Sequence, residues 1–116
     1  MPILVERRRS PRFIASLALH VVVTNGEASY VVETENVSDA GLCIRSERVF
    51  PVATQLHLLF GRLPELPPLI AEGIVRWSEG GKGFGVEFTS ISPDDHLALL
   101  RFLNSQLTCP HFNTNG

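Results

Sequence analysis

Apolar residues recur at every second position through most of this chain, and that period leaves room for little besides strands. From Phe13 to Thr24 ("FIASLALHVVVT"), Phe13, Ala15, Leu17, Leu19, Val21 and Val23 fall on one face. Asn25–Gly26 follows, a dipeptide that accepts the positive φ angles of a two-residue type I′ hairpin turn. The return strand spans Ala28–Thr34, and "ENVSDAG" reads as a second turn into "GLCIRS", where Leu42 and Ile44 point inward. "QLHLLF" (55–60) gives the next strand. "GRLPELPP" after it reads as loop, because adjacent prolines lack the N–H groups a ladder needs. "IAEGIVRWS" places Gly73, Val75 and Trp77 on one face, "EGGKG" turns the chain, and "FGVEFT" returns Phe84, Val86 and Phe88 to the core.

The period changes at Ser92. Ser92 suits an N-cap, Pro93 the first helical position, and Asp95 the acidic place of a capping-box-like first turn. Leu97, Leu100, Leu103 and Leu107 recur at helical spacing, a stripe able to cover the open end of a sheet. Six short antiparallel strands with one terminal helix predict an all-β fold: a six-stranded antiparallel barrel, closed or nearly so, with a C-terminal α-helix. The expected organisation is a flexible N-terminal arm over 1–12, a barrel domain over 13–107 whose helix spans 92–107, and a disordered tail over 108–116.

The 116 residues suffice for one domain with its own core, and 44% hydrophobic against 19% charged residues is a globular profile. No apolar stretch approaches the roughly 18–20 residues of a bilayer-spanning helix, so membrane insertion is not expected. "MPILVE" is too short for the apolar segment of a signal peptide. Cys43 and Cys109 lack a CxxC spacing and read as free thiols of a reducing cytoplasm. His20, His57, His96 and His111 form no ligand cluster, so no metal is expected. No nucleophile, Ser38 included, stands beside an identifiable base, and the chain does not read as an enzyme.

Charge is distributed unevenly. "ERRRSPR" (6–12) holds Arg7, Arg8, Arg9 and Arg12 beside the single acid Glu6, whereas the rest of the chain has six cations against eleven anions. A nucleic-acid binder spreads its cations over a face to neutralise many phosphates together. One basic arm on an acidic body fits a small, highly charged anion better, and no nucleic-acid partner is expected.

A second unusual stretch is Asn36–Val37–Ser38–Asp39–Ala40–Gly41, whose residue types are also those of an ordinary turn. Together, RxxxR from Arg8 to Arg12 and NxSxxG from Asn36 to Gly41 resemble the signature of the PilZ domain, the bacterial receptor module for the second messenger cyclic di-GMP. "EGIVRW", "GFGVEF" and the terminal helix also resemble that family's late strands and helix, so the likeness covers nearly the whole chain. The resemblance implies a cytoplasmic cyclic di-GMP receptor or adaptor that changes conformation on binding, needs no cofactor, and signals to a partner protein in motility, pilus, biofilm or exopolysaccharide control. It assigns Arg7, Arg8, Arg12, Asn36, Ser38 and Gly41 to the ligand, with Arg9, Trp77 and Arg76 as further candidates. A basic residue at Arg7 implies two intercalated ligands per chain. The alternative is a PilZ-like interaction module that does not depend on nucleotide.

The chemistry of these residue types suits such a ligand. A guanidinium can make two parallel hydrogen bonds to phosphate oxygens or to guanine O6 and N7, and can stack on the base. The Asn36 amide and the Ser38 hydroxyl can read a guanine edge, and Gly41 permits close approach or a positive φ. Trp77, on an inward-alternating position, reads first as a packing residue, and Arg45 and Arg76 as outer-face residues.

Overall fold

The computed structural model describes Ile3–Leu4 and residues 14–107; Phe13, the arginine segment and the 108–116 tail lie outside the described residues. Strands β1 (Ile3–Leu4), β2 (Ile14–Ala15), β3 (His20–Thr24), β4 (Ser29–Ser38), β5 (Gly41–Arg45), β6 (Gln55–Arg62), β7 (Leu66–Glu79) and β8 (Gly83–Ile91) precede one helix, α1 (Pro93–Leu107). The order β8–β5–β4–β3–β6–β7 closes on itself through the β7–β8 pairing, giving the expected six-stranded antiparallel barrel. Alternation supplies its interior. Val21, Val23, Leu42, Ile44, Leu56, Leu58, Val75, Phe84, Val86 and Phe88 are all buried, and Phe60 stacks on Phe88 at 6.0 Å between ring centroids. Each such side chain contributes roughly 1.5–3 kcal/mol on burial.

Local chemistry overrides the simple pattern in four places. The 13–24 run is broken between β2 and β3, because the Thr34 side chain takes the place of ladder bonds there. Its hydroxyl donates to the Leu17 carbonyl and accepts from the Leu19 N–H, both at 2.8 Å. The inward set survives the break, with Ala15, Leu19, Val21 and Val23 buried. The Asn-Gly turn is not a two-residue type I′ turn, since Gly26 alone of the pair has positive φ (97°). Residues 25–28 form the loop, and the Asn25 carboxamide oxygen accepts from the Glu27 and Ala28 N–H groups at 3.1 Å each.

Pro67 and Pro68 lie inside β7 rather than in a loop. Pairing with β8 begins only at Ala71, so this end of β7 has β6 as its ladder partner, and the β6 register shifts opposite the prolines between Phe60 and Arg62. No ladder bond there requires a proline N–H.

The helix starts as expected, with the Asp95 N–H donating to Ser92 Oγ at 3.1 Å. The Asp95 carboxylate, however, accepts from the Ile70 N–H of β7 at 3.1 Å. That bond turns the helix so that Leu99, Phe102 and Leu103 are buried, while Leu97 is 47% exposed. The Leu97–Leu100–Leu103–Leu107 stripe is therefore wrong in phase, and the Leu107 side chain lies outside the described residues.

Candidate ligand-binding face

NxSxxG is mostly strand. β4 continues through Asn36, Val37 and Ser38, only Asp39–Ala40 form the turn, and Gly41 opens β5. A one-residue bulge at Glu35 sets what faces outward. Thr34 pairs with Ile44, both inward; then Asn36 pairs with Cys43, and Val37 with Leu42. In a regular strand, without the bulge, Glu35 would take a ladder position and Asn36 would point into the core. With it, Asn36 joins Cys43 on the outer face and Val37, fully buried, fills the interior.

β7 repeats the device. Val75 pairs with Val86 inside the barrel, Arg76 is the extra residue, and Trp77 pairs with Gly85. Trp77 is therefore turned outward and 44% exposed, which corrects its expected place in the core beside Gly73 and Val75. Since Cys43 also pairs with Gly85, the residues Asn36, Cys43, Gly85 and Trp77 form one continuous cross-strand row over β4, β5, β8 and β7. Three inter-strand spacings, about 14 Å, separate its ends.

The floor of this face carries almost no side chain. A Cβ on Gly85 would fall 2.0 Å from Trp77 Nε1, so the indole rests on the bare β8 backbone. A Cβ on Gly83 would fall 2.0 Å from the Ile44 carbonyl oxygen, and one on Gly41 2.0 Å from that of Val86. Gly41 has no positive φ; it is required because β8 passes against it. Alternation of Gly83 and Gly85 with inward Phe84 and Val86 is the sequence signal for this floor, and Cys43, expected only as a free thiol, lies on the same face.

Ser38 is 7% exposed and its hydroxyl is occupied. It accepts from the Ala40 and Gly41 N–H groups, each at 3.1 Å, and donates to the Gly41 carbonyl at 3.2 Å. One donor and two lone pairs are thereby used, and the residue fixes the turn that presents β5. Burial, and then the charge of Glu35, push the Cys43 thiol above its ordinary value of 9.0, so an uncharged thiol lies in the middle of the row. Arg76 donates from Nε to Glu87 Oε1 at 2.6 Å beside the row, and Arg45 lies 3.6 Å from Glu35.

A family model for the PilZ domain matches residues 6–105. The chain belongs to the PilZ family. Among solved structures, this PilZ domain is similar to the Bacillus subtilis inhibitor of motility MotI/DgrA, with a TM-score of 0.72 and 22% identity over 90% of this chain and 53% of that one. It is also similar to the PilZ domain of CeSA from a cellulose-synthesizing bacterium, with a TM-score of 0.58 and 17% identity over 79% and 95% of the two chains. Against K. pneumonia MrkH the TM-score is 0.64, with 14% identity over 90% and 52%. The chain thus spans about half the length of MotI/DgrA and of MrkH. No curated protein matches it.

Arg7, Arg8, Arg9 and Arg12 lie outside the described residues, but the PilZ domain describes an anchor on each side of them. Leu4 pairs with Ser90 on β8, and Ile14 pairs with Ser38 on β4. Ile3–Leu4, expected within a flexible arm, is thus a strand of the sheet. Ile14 sits opposite the serine of NxSxxG, and two residues of chain, at most about 7 Å, separate it from Arg12. Among the described residues no cluster of His, Cys, Asp and Glu could hold a metal ion, and no helix is long and apolar enough to cross a membrane.

Proposed function

We propose that this PilZ domain is a cytoplasmic receptor for cyclic di-GMP that carries no catalytic activity and passes the signal to a partner protein. The observation that carries this reading is the outer row of Asn36, Cys43, Gly85 and Trp77, whose Asn36 end adjoins the Ile14–Ser38 anchor of the arginine motif. A cyclic dinucleotide has two flat purines and two phosphates. The Trp77 indole lies on Gly85 and its free face offers a flat stacking surface, and the Asn36 amide can pair with a guanine edge. Arg8 and Arg12, with Arg7 and Arg9, supply the charge-assisted bonds to phosphate and guanine that the acidic barrel does not. Ser38 and Gly41 act through the turn and the β5–β8 approach, holding Asn36 in place. Arg76, tied to Glu87, is a secondary phosphate contact. The names of the similar structures, an inhibitor of motility and a domain from a cellulose-synthesizing bacterium, fit an output in motility or exopolysaccharide control.

Calorimetric titration with cyclic di-GMP tests this. The expected affinity is sub-micromolar to low-micromolar, about −8 kcal/mol. Arg8→Ala and Arg12→Ala should each lose ten- to a hundredfold, roughly 1.5–3 kcal/mol. Absence of binding by the wild-type chain would overturn the receptor reading in favour of a nucleotide-independent interaction module.

A further inference from the structure

The ligand row has two long edges. Along one of them, past Asn36, lies Ser38 with its pairing to Ile14, the side from which the arginine motif arrives. Arg76 and Glu87 border the row on that same side, Glu87 opposite Gly41. Along the other edge, one outward position further on each strand, runs a parallel row: Glu33 on β4, Arg45 on β5, Gly83 on β8 and Glu79 on β7. Arg45 is the cation of this second row. Two residues along β5, about 7 Å, separate it from Cys43 at the centre of the ligand row.

We infer that Arg45 is a further ligand contact, taking the phosphate of the cyclic dinucleotide that faces away from the arginine motif, and that Glu35 is the counter-charge it leaves to do so. This rests on the receptor reading of the ligand row. Placement carries it. The two phosphates of a cyclic dinucleotide lie on opposite sides of the macrocycle, so a ring held over the row with one phosphate towards the arginine motif turns the other towards Arg45. The guanidinium is free to follow. Its Nη2 lies 3.6 Å from Glu35 Oε2, beyond hydrogen-bond length, and the two side chains are 69% and 54% exposed. Arg76, by contrast, is fastened to Glu87 at 2.6 Å. An exposed, loose ion pair contributes little, so exchanging its carboxylate for a phosphate costs the fold little. Gly83, across from Arg45 on β8, has no side chain to obstruct the movement. The other acids of the second row are already engaged, Glu33 3.9 Å from His20 and Glu79 3.6 Å from Lys82. Glu35 stands near enough to the ligand row for its charge to raise the Cys43 thiol, and the same charge opposes an anion placed there.

Calorimetric titration of the full chain with cyclic di-GMP is the test, with thermal unfolding to check that each variant folds. Arg45→Ala should weaken binding about tenfold, and Arg45→Lys about threefold, because an ammonium keeps the charge and loses the paired guanidinium bonds. Glu35→Gln should tighten binding about threefold, since it removes the opposing charge. Lys82→Ala takes away a cation of the same edge that Glu79 already holds, and should change affinity by less than about twofold. Should Arg45→Ala not fold, Arg45→Lys and Glu35→Gln carry the test. Equal losses in Arg45→Ala and Lys82→Ala would show a diffuse field in place of a contact and overturn the inference. A wild type that binds, with Arg45→Ala equal to it, overturns this inference alone. A wild type that binds no cyclic di-GMP overturns the receptor reading and this inference with it.

Discussion

Asn36 and Trp77 stand at the two ends of one outer row, and each is there because a single extra residue precedes it, Glu35 in one strand and Arg76 in the other. Everything between them is backbone or a neutral thiol. A flat, anionic ligand therefore finds polar recognition at one end, an aromatic surface at the other, and little to displace in the middle.

Asn36→Ala should weaken cyclic di-GMP binding about tenfold, in line with roughly 1–2 kcal/mol for a lost polar contact. It should also erode discrimination against cyclic di-AMP, which lacks the guanine O6 acceptor. Since Asn36 is on the outer face, the unfolding temperature should hold. Parallel calorimetric titrations with both dinucleotides check this; unchanged selectivity would remove Asn36 from base recognition.

Trp77 is the only tryptophan. Its emission is therefore a direct reporter of the row, and a purine stacked on the exposed ring face should quench it in a saturable way. Quenching and calorimetry should give the same affinity. Binding with no change in Trp77 emission would place the ligand away from β7.

Ser38→Ala leaves the Ala40 and Gly41 N–H groups without their acceptor. The expected cost is about 1–2 kcal/mol of stability, a fall in Tm of roughly 5–15 °C. Thermal unfolding followed by circular dichroism measures it. A variant that keeps its Tm and loses binding would make the hydroxyl a ligand contact instead of a turn fastener.

Cys43 gives a prediction in pH. Its thiol is held above the ordinary value by burial and by the Glu35 charge, so the folded chain resists forming the thiolate more than the unfolded chain does. This contribution to stability is complete below the unfolded pKa and is lost as pH rises through the folded one. In a Cys109→Ser background, alkylation by iodoacetamide should stay slow until pH exceeds 9.0 and accelerate on unfolding in urea. Saturating cyclic di-GMP should slow it further. Alkylation at the rate of an unhindered thiol, below that pH and without urea, would contradict the burial.

Arg7 bears on stoichiometry. Two stacked dinucleotides bring four phosphates together, and an extra guanidinium offsets their repulsion. Calorimetry at saturation should give two ligands per chain, with Arg7→Leu shifting the ratio towards one. A wild-type ratio of one would sink this expectation alone.

The barrel was legible because a period of two survives wherever one face is buried; Leu42, Ile44, Phe84, Val86 and Phe88 needed nothing more. The site was only half legible. NxSxxG and RxxxR were visible as residue types, but Gly, Ser, Asp and Asn look like a loop whether the chain turns or continues as strand. The two bulges left no mark in their own strands, since an extra residue is defined only against the partner across the ladder. Trp77 was misplaced for that reason. In the helix, "LALLRFL" offers two apolar stripes, and the choice between them is made by Asp95 bonding to Ile70, a contact with a different element.

The two bulges also decide what kind of genetic change this protein tolerates. Glu35 and Arg76 hold no ladder position of their own, so most substitutions at either should leave the face intact. Deletion of either residue should also leave it intact, because Thr34 and Asn36, like Val75 and Trp77, already pair with consecutive residues across the ladder. Without Glu35 the ladder would close with Asn36 still outward and Val37 still inward; without Arg76 the indole would likewise keep its place. An indel scan of the two strands should therefore tolerate loss at these two positions, whereas loss of one residue elsewhere in either strand moves the side chains beyond it to the opposite face.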